Sequence, residues 1–107
     1  MLIKINMVKI ISQEDFNIID NKVNYSTDIS GVLFIYFTGD KYSEIMFEKV
    51  LKIPLSSIYF FDISKYSKYH EIFESIYTYV PRLYNIKKGV ITENTDIPSI
   101  YSNVLMF

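Results

Sequence analysis

The stretch Gly31-Val32-Leu33-Phe34-Ile35-Tyr36-Phe37-Thr38-Gly39-Asp40-Lys41-Tyr42-Ser43-Glu44 decides the fold. Val32 to Phe37 is apolar without alternation, the pattern of a strand covered on both faces and central in its sheet. A short polar turn ends it, and Ser43 is positioned to cap a helix that starts at once. Met46, Phe47, Val50 and Leu51 then recur at helical spacing. Glu48 and Lys52 stand one turn apart on the other side, and Pro54 enforces the stop.

Working outward, Lys4 to Ile11 alternates like a strand. Ser12-Gln13-Glu14-Asp15 reads as a helix start, with a hydroxyl at the cap and an acid three residues on. Phe16, Ile19 and Val23 would supply the apolar face of that helix, and Asn24 to Ser30 a polar connection. Downstream, Ser57 to Ser64 gives a second apolar strand. A helix capped at Ser67 follows, with Tyr69, Ile72, Phe73, Ile76 and Tyr77 on one stripe. Arg82 to Lys87 and Val90 to Glu93 form two strands around a Lys88-Gly89 turn. Asp96 and Pro98 open a last helix, faced by Ile97, Ile100, Tyr101, Val104 and Leu105. The expected order is β-α-β-α-β-α-β-β-α. It predicts an α/β fold with a central mixed sheet, helices on both faces and right-handed parallel crossovers.

The 107 residues are expected to form one domain. A chain of this size buries roughly 65% of its unfolded surface, enough for one core. Eleven Lys and Arg against twelve Asp and Glu leave a net charge of −1. That balance disfavours direct nucleic-acid binding and offers no basic face to an anionic membrane. Lys4, Asn6 and Lys9 interrupt the apolar start and argue against a signal peptide. No run reaches the ~20 apolar residues of a membrane span. The expected compartment is cytoplasmic or nuclear, and the absence of cysteine fits it. There is no alanine, no tryptophan and a single arginine, Arg82, among abundant Ile, Lys, Tyr and Asn. GC-poor codons produce such a bias, so tyrosine-rich stretches carry little weight as binding signals.

The order of elements, with Val80-Pro81 ahead of the hairpin, resembles the thioredoxin family over nearly the whole chain. Met7 to Ile11 through Phe16 resembles its opening strand and the helix entry with its phenylalanine, and Val32 to Phe37 the strand leading into its active-site turn. Asp62 falls where the next strand commonly ends in an aspartate. Pro81-Arg82-Leu83-Tyr84-Asn85-Ile86-Lys87-Lys88-Gly89 resembles the segment from the family's cis-proline to its hairpin. Carried over from Phe37, the two cysteine positions fall on Tyr42 and Ile45, the buried aspartate on Tyr36 and the tryptophan on Lys41. Dithiol exchange needs an acidified thiolate and a resolving thiol. This chain has no sulfur nucleophile for it.

The resemblance implies a redox-inactive, non-enzymatic domain that binds protein, as an adaptor or small subunit of a larger complex, with no cofactor. In that family the backbone before the proline pairs with an extended peptide, a form of strand addition that needs no thiol. The candidate surface is therefore Asp40, Lys41, Tyr42, Ser43 and Glu44 with Val80, Pro81 and Arg82. Ile58 to Ser64, followed by Tyr69, Ile72-Phe73 and Glu74, is similar to the thioredoxin-like component of the spliceosomal tri-snRNP. That likeness implies an assembly role. Glutathione transferases of this fold place a tyrosine or serine hydroxyl near the helix start, which would assign glutathione binding to Tyr42 or Ser43. His70, the one histidine, lacks a second ligand and is expected on a solvated helix face. The apolar end Val104 to Phe107 is expected to dock on the sheet or on a partner.

Overall fold

The computed structural model describes residues 8–105, with side chains as far as residue 103. Its strands are Lys9–Ile10 (β1), Phe16–Ile19 (β2), Lys22–Tyr25 (β3), Gly31–Tyr36 (β4), Ile58–Asp62 (β5), Arg82–Lys87 (β6) and Val90–Asn94 (β7). Its α-helices are Lys41–Leu51 (α1), His70–Ile76 (α2) and Ile97–Leu105 (α3). The chain is thus a mixed α/β fold with three helices among the described residues. The main sheet runs β1-β5-β4-β6-β7. β1, β5 and β4 are parallel, while β6 and β7 are antiparallel to their neighbours.

The unbroken apolar run is central, as its pattern predicts. Leu33, Phe34 and Ile35 are fully buried, each contributing about 1.5–3 kcal/mol from burial. Alternate residues of β4 serve opposite faces. Val32 and Phe34 join Val50 of α1 and Ile100 of α3 in one core. Leu33 and Ile35 join Phe16, Tyr25, Phe73 and Tyr77 in the other. Helices therefore cover both faces, α1 and α3 on one and α2 on the other. Gly31 admits β4 to this place. A Cβ there would lie 2.1 Å from the Ser57 carbonyl oxygen, and its φ is +141°.

The first expected helix is a correction. Ser12 and Asp15 make the predicted capping contacts, with Asp15 Oδ2 accepting from the Ser12 N–H at 2.8 Å and from its hydroxyl at 3.1 Å. Only one 3-10 turn, Gln13–Asp15, follows. The chain then forms the β2–β3 hairpin. Asp20 and Asn21 both have positive φ, 51° and 60°, as the two-residue turn of a twisted hairpin requires. Phe16 pairs with Tyr25 and Ile18 with Val23, and all four belong to the second core. Ile19, expected inside, is 53% exposed. The period was two, not 3.6, and the Asp-Asn turn set it.

Smaller corrections follow the same logic. Asp40, not Ser43, caps α1, accepting from the Ser43 N–H at 2.8 Å. Ser67 caps nothing with its side chain; a 3-10 turn Ser67–Tyr69 precedes α2. Phe73 and Tyr77 are buried as expected, but Ile76 is 39% exposed. Ser64 belongs to a 3-10 turn after β5. Asp96 caps α3, accepting from the Ser99 N–H at 2.8 Å. The expected strand start from Lys4 to Met7 lies outside the described residues, as do the side chains of Val104 to Phe107.

The hairpin is tied to the end of α2 by a buried bond between the Tyr25 and Tyr77 hydroxyls, 2.6 Å apart. Burial pushes the Tyr77 phenol up to about 12 and raises Tyr25 well above its ordinary value. The folded state thus holds these protons longer than the unfolded chain. The pair's contribution is complete below pH 10.0 and is lost as pH rises through about 12. Tyr77→Phe alone orphans the Tyr25 hydroxyl and is expected to cost about 1–3 kcal/mol. The Tyr25→Phe/Tyr77→Phe double variant is expected to be close to neutral below pH 10.0 and to melt less steeply with alkali. Thermal melts on both sides of that pH check this.

Candidate functional site

The turn between β4 and α1 is closed by its own side chains. The Ser43 hydroxyl is fully buried and accepts from the Phe37 N–H at 3.1 Å. The Glu44 carboxylate accepts from the Gly39 N–H at 3.1 Å. With Asp40 capping the first turn, two carboxylates occupy the end of α1 that attracts anions. Of the Tyr42/Ser43 pair only Tyr42 is accessible, at 70% exposure. Lys41 is exposed beside it.

Asp62, at the end of β5, anchors this turn from below. It is 4% exposed. Its Oδ1 accepts from the Thr38 N–H at 3.3 Å, the Ser64 N–H at 3.0 Å and the Ser64 hydroxyl at 2.6 Å. The Thr38 hydroxyl donates to Oδ2. Burial by itself would raise this carboxyl's pKa, but the bonds from Ser64 and Thr38 outweigh it and hold it below the ordinary range. Tyr36 lines the same cleft, and burial, then the Asp62 charge, push its phenol up to about 12. In the sequence Asp62 stands out only through the family resemblance. The signal was an acid closing an apolar strand, with hydroxyls at Thr38 and Ser64 to receive it.

The Val80–Pro81 bond is cis. Pro81 and Arg82 line an open groove of about 580 Å³. Tyr79, Leu83, Met46 and Lys49 of α1, and Ile97 of α3 are among the residues that line it, with Asp96 adding a carboxylate. Tyr79 is 72% exposed. The Arg82 guanidinium lies 5.9 Å from the Tyr79 ring centre, and its Nε donates to the Tyr79 carbonyl at 2.8 Å. Among the described residues, neither the N–H nor the C=O of Val80 has a backbone partner.

The expected site residues therefore divide. Pro81 and Arg82 enter the groove, Val80 does not line it and packs against the core on the other face, and Glu44 lines the cleft above Asp62. Helical spacing links the two regions: Tyr42 stands one turn before Met46, and Ile45 one turn before Lys49. Tyr42 and Ile45 are both exposed, on the turn of α1 before the residues that line the groove. Met46, Lys49 and Tyr79 were not foreseen as site residues. His70 is exposed and bonds Glu74 at 3.3 Å, a surface pair of little energetic weight. Among the described residues no group of three metal-ligating side chains occurs, and no helix is long and apolar enough to cross a membrane.

No family model, curated protein or solved structure matches this chain.

Asp62→Asn keeps the shape but removes the charge that four donors are arranged around. A loss of about 2–3 kcal/mol is expected at neutral pH. Because the folded carboxyl ionises more readily than the unfolded one, its contribution is present above the unfolded pKa and fades as pH falls through the folded value. The variant should show a flatter acid limb than the parent in denaturant titrations at falling pH. Equal acid limbs would contradict this assignment.

Proposed function

We propose that this chain is a redox-inactive thioredoxin-like domain that works by binding a segment of another protein in the groove beside Pro81. The observation that carries the reading is the groove itself. Part-buried Met46 of α1, part-buried Pro81 and exposed Tyr79 line it, and Val80, next to Pro81 in the chain, has backbone groups with no backbone partner among the described residues. Such a wall accepts an extended peptide by main-chain pairing, with its side chains in the apolar recess. Arg82 holds the Tyr79 ring through its guanidinium, and a part-ordered exposed aromatic is a common anchor of binding energy.

The thioredoxin-like assignment is supported by three parallel strands followed by an antiparallel hairpin. It is also supported by the position of Pro81 ahead of that hairpin. A binding role rather than catalysis is supported by the lack of any cysteine and by the turn at α1, whose polar groups satisfy one another. On this reading the domain is a small subunit or adaptor. A spliceosomal assembly would be one setting for it.

Selection of a random peptide library displayed on phage tests the reading. Enriched peptides should bind the parent protein and lose about tenfold or more on Tyr79→Ala or Met46→Asp, the range of a binding hot spot. Peptides that bind both variants as well as the parent, or no enrichment, would refute it. Both sites are at least partly exposed, so the fold can be verified by circular dichroism.

A further inference from the structure

On the opposite face of the sheet from the Pro81 groove lies a second cleft, of about 500 Å³. Val23 and Tyr25 of β3, Ile76 and Tyr77 from the end of α2, and Val90 and Ile91 of β7 form its walls. Ile76 and Val90 stay exposed, at 39% and 63%. The phenols at its base engage each other and stay uncharged at neutral pH. Among the described residues, its charged lining residues are Lys22 and Lys88, and no carboxylate lines it. Both lysines are exposed, and neither has an ion-pair partner among the described residues.

The two cations stand at opposite ends. The Lys88-Gly89 turn is pressed against the end of β3: a Cβ on Gly89 would meet the Tyr25 carbonyl oxygen at 2.5 Å. The turn is pinned there, with the Gly89 N–H donating to the Ile29 carbonyl and the Lys88 N–H to the Ser30 hydroxyl, each at 2.8 Å. Lys22 lies three residues back along β3 from Tyr25, about 10 Å at strand rise. An apolar wall about three extended residues long is therefore bracketed by positive charge. Beside it, β7 ends the sheet, so one side of its backbone has no neighbouring strand among the described residues.

We propose that this cleft is a second docking site, for an extended protein segment in which an apolar residue has aspartate or glutamate two positions before and two positions after it, so that all three side chains share one face. Its backbone runs along the open edge of β7. An apolar side chain fills the space between Val23 and Ile76, and carboxylates meet Lys22 and Lys88. This site goes beyond the groove at Pro81, shares no lining residue with it, and would let one small domain hold two partners.

Fluorescence polarisation tests it with a labelled heptapeptide that has phenylalanine at its centre, glutamate two positions away on each side and serine or threonine elsewhere, beside counterparts carrying lysine or glutamine instead of glutamate. The acidic peptide should bind best and weaken as salt shortens the screening length. Lys22→Glu/Lys88→Glu should weaken it about tenfold or more, while Tyr79→Ala leaves it unchanged. Equal binding of the three peptides, no binding, or equal loss on Tyr79→Ala would overturn the proposal. So would binding of dodecanoate, but not the peptide, at the same lysines; the cleft would then be a fatty-acid site.

Discussion

Everything in this fold hangs on β4 being buried on both faces. A strand with Leu33, Phe34 and Ile35 at zero exposure cannot sit at an edge or face water. It must be paired on both sides and covered above and below. β5 and β6 supply the pairing. α1 and α3 cover one face, and the β2–β3 hairpin and α2 cover the other. The aromatic side chains gather accordingly. Phe34, Tyr36, Phe47 and Phe60 pack on one side, with Phe34 and Tyr36 stacked at 4.9 Å. Phe16, Phe61, Tyr66 and Phe73 pack on the other, mostly edge to face. Phe34 and Phe61, in adjacent strands, head the two sets.

The junction that follows β4 is closed by the chain's own side chains. Helix N-terminal N–H groups favour an anion, and here Asp40 and Glu44 of the chain itself provide it. Ser43 is turned inward to the Phe37 N–H, and Asp62 holds Thr38 and Ser64 together beneath. Groups that satisfy one another this fully have little left for a ligand. The accessible apolar surface lies further along α1 and across to Tyr79, Pro81 and Arg82. A binding role for this region accordingly draws on shape and apolar contact more than on the α1 terminus.

Much of this was legible in the residues. The covered strand, the helix after it, the stop near Pro54, the β6–β7 hairpin and the Asp96 start of α3 follow from periodicity and from Gly, Pro and capping residues. The failure at Phe16 to Tyr25 has a specific cause. Phe16, Ile19 and Val23 mimic a helical stripe, and the capping signal at Ser12 is real. The hairpin was decided by Asp20 and Asn21 adopting left-handed backbone, a weaker turn signal than one containing glycine. At the candidate groove, Pro81 and Arg82 could be named from the sequence because a proline ahead of a predicted hairpin marks a backbone landmark. Met46, Lys49 and Tyr79 could not, because a groove wall is made by elements distant in sequence and only packing brings them together. Ser43 looked like a cap, since hydroxyls favour that position. Asp40, three residues earlier, is as good a cap and moves the helix start.

The central claim is that this domain binds an extended protein segment against α1 and the Tyr79–Arg82 segment. Amide chemical-shift mapping with a peptide selected for binding tests it most directly, because it reports every backbone position in one titration. The account predicts the largest shifts at Tyr79, Val80, Arg82, Ile45, Met46 and Lys49, with β1 unmoved. Shifts confined to other surfaces, with Tyr79 to Arg82 silent, would contradict it.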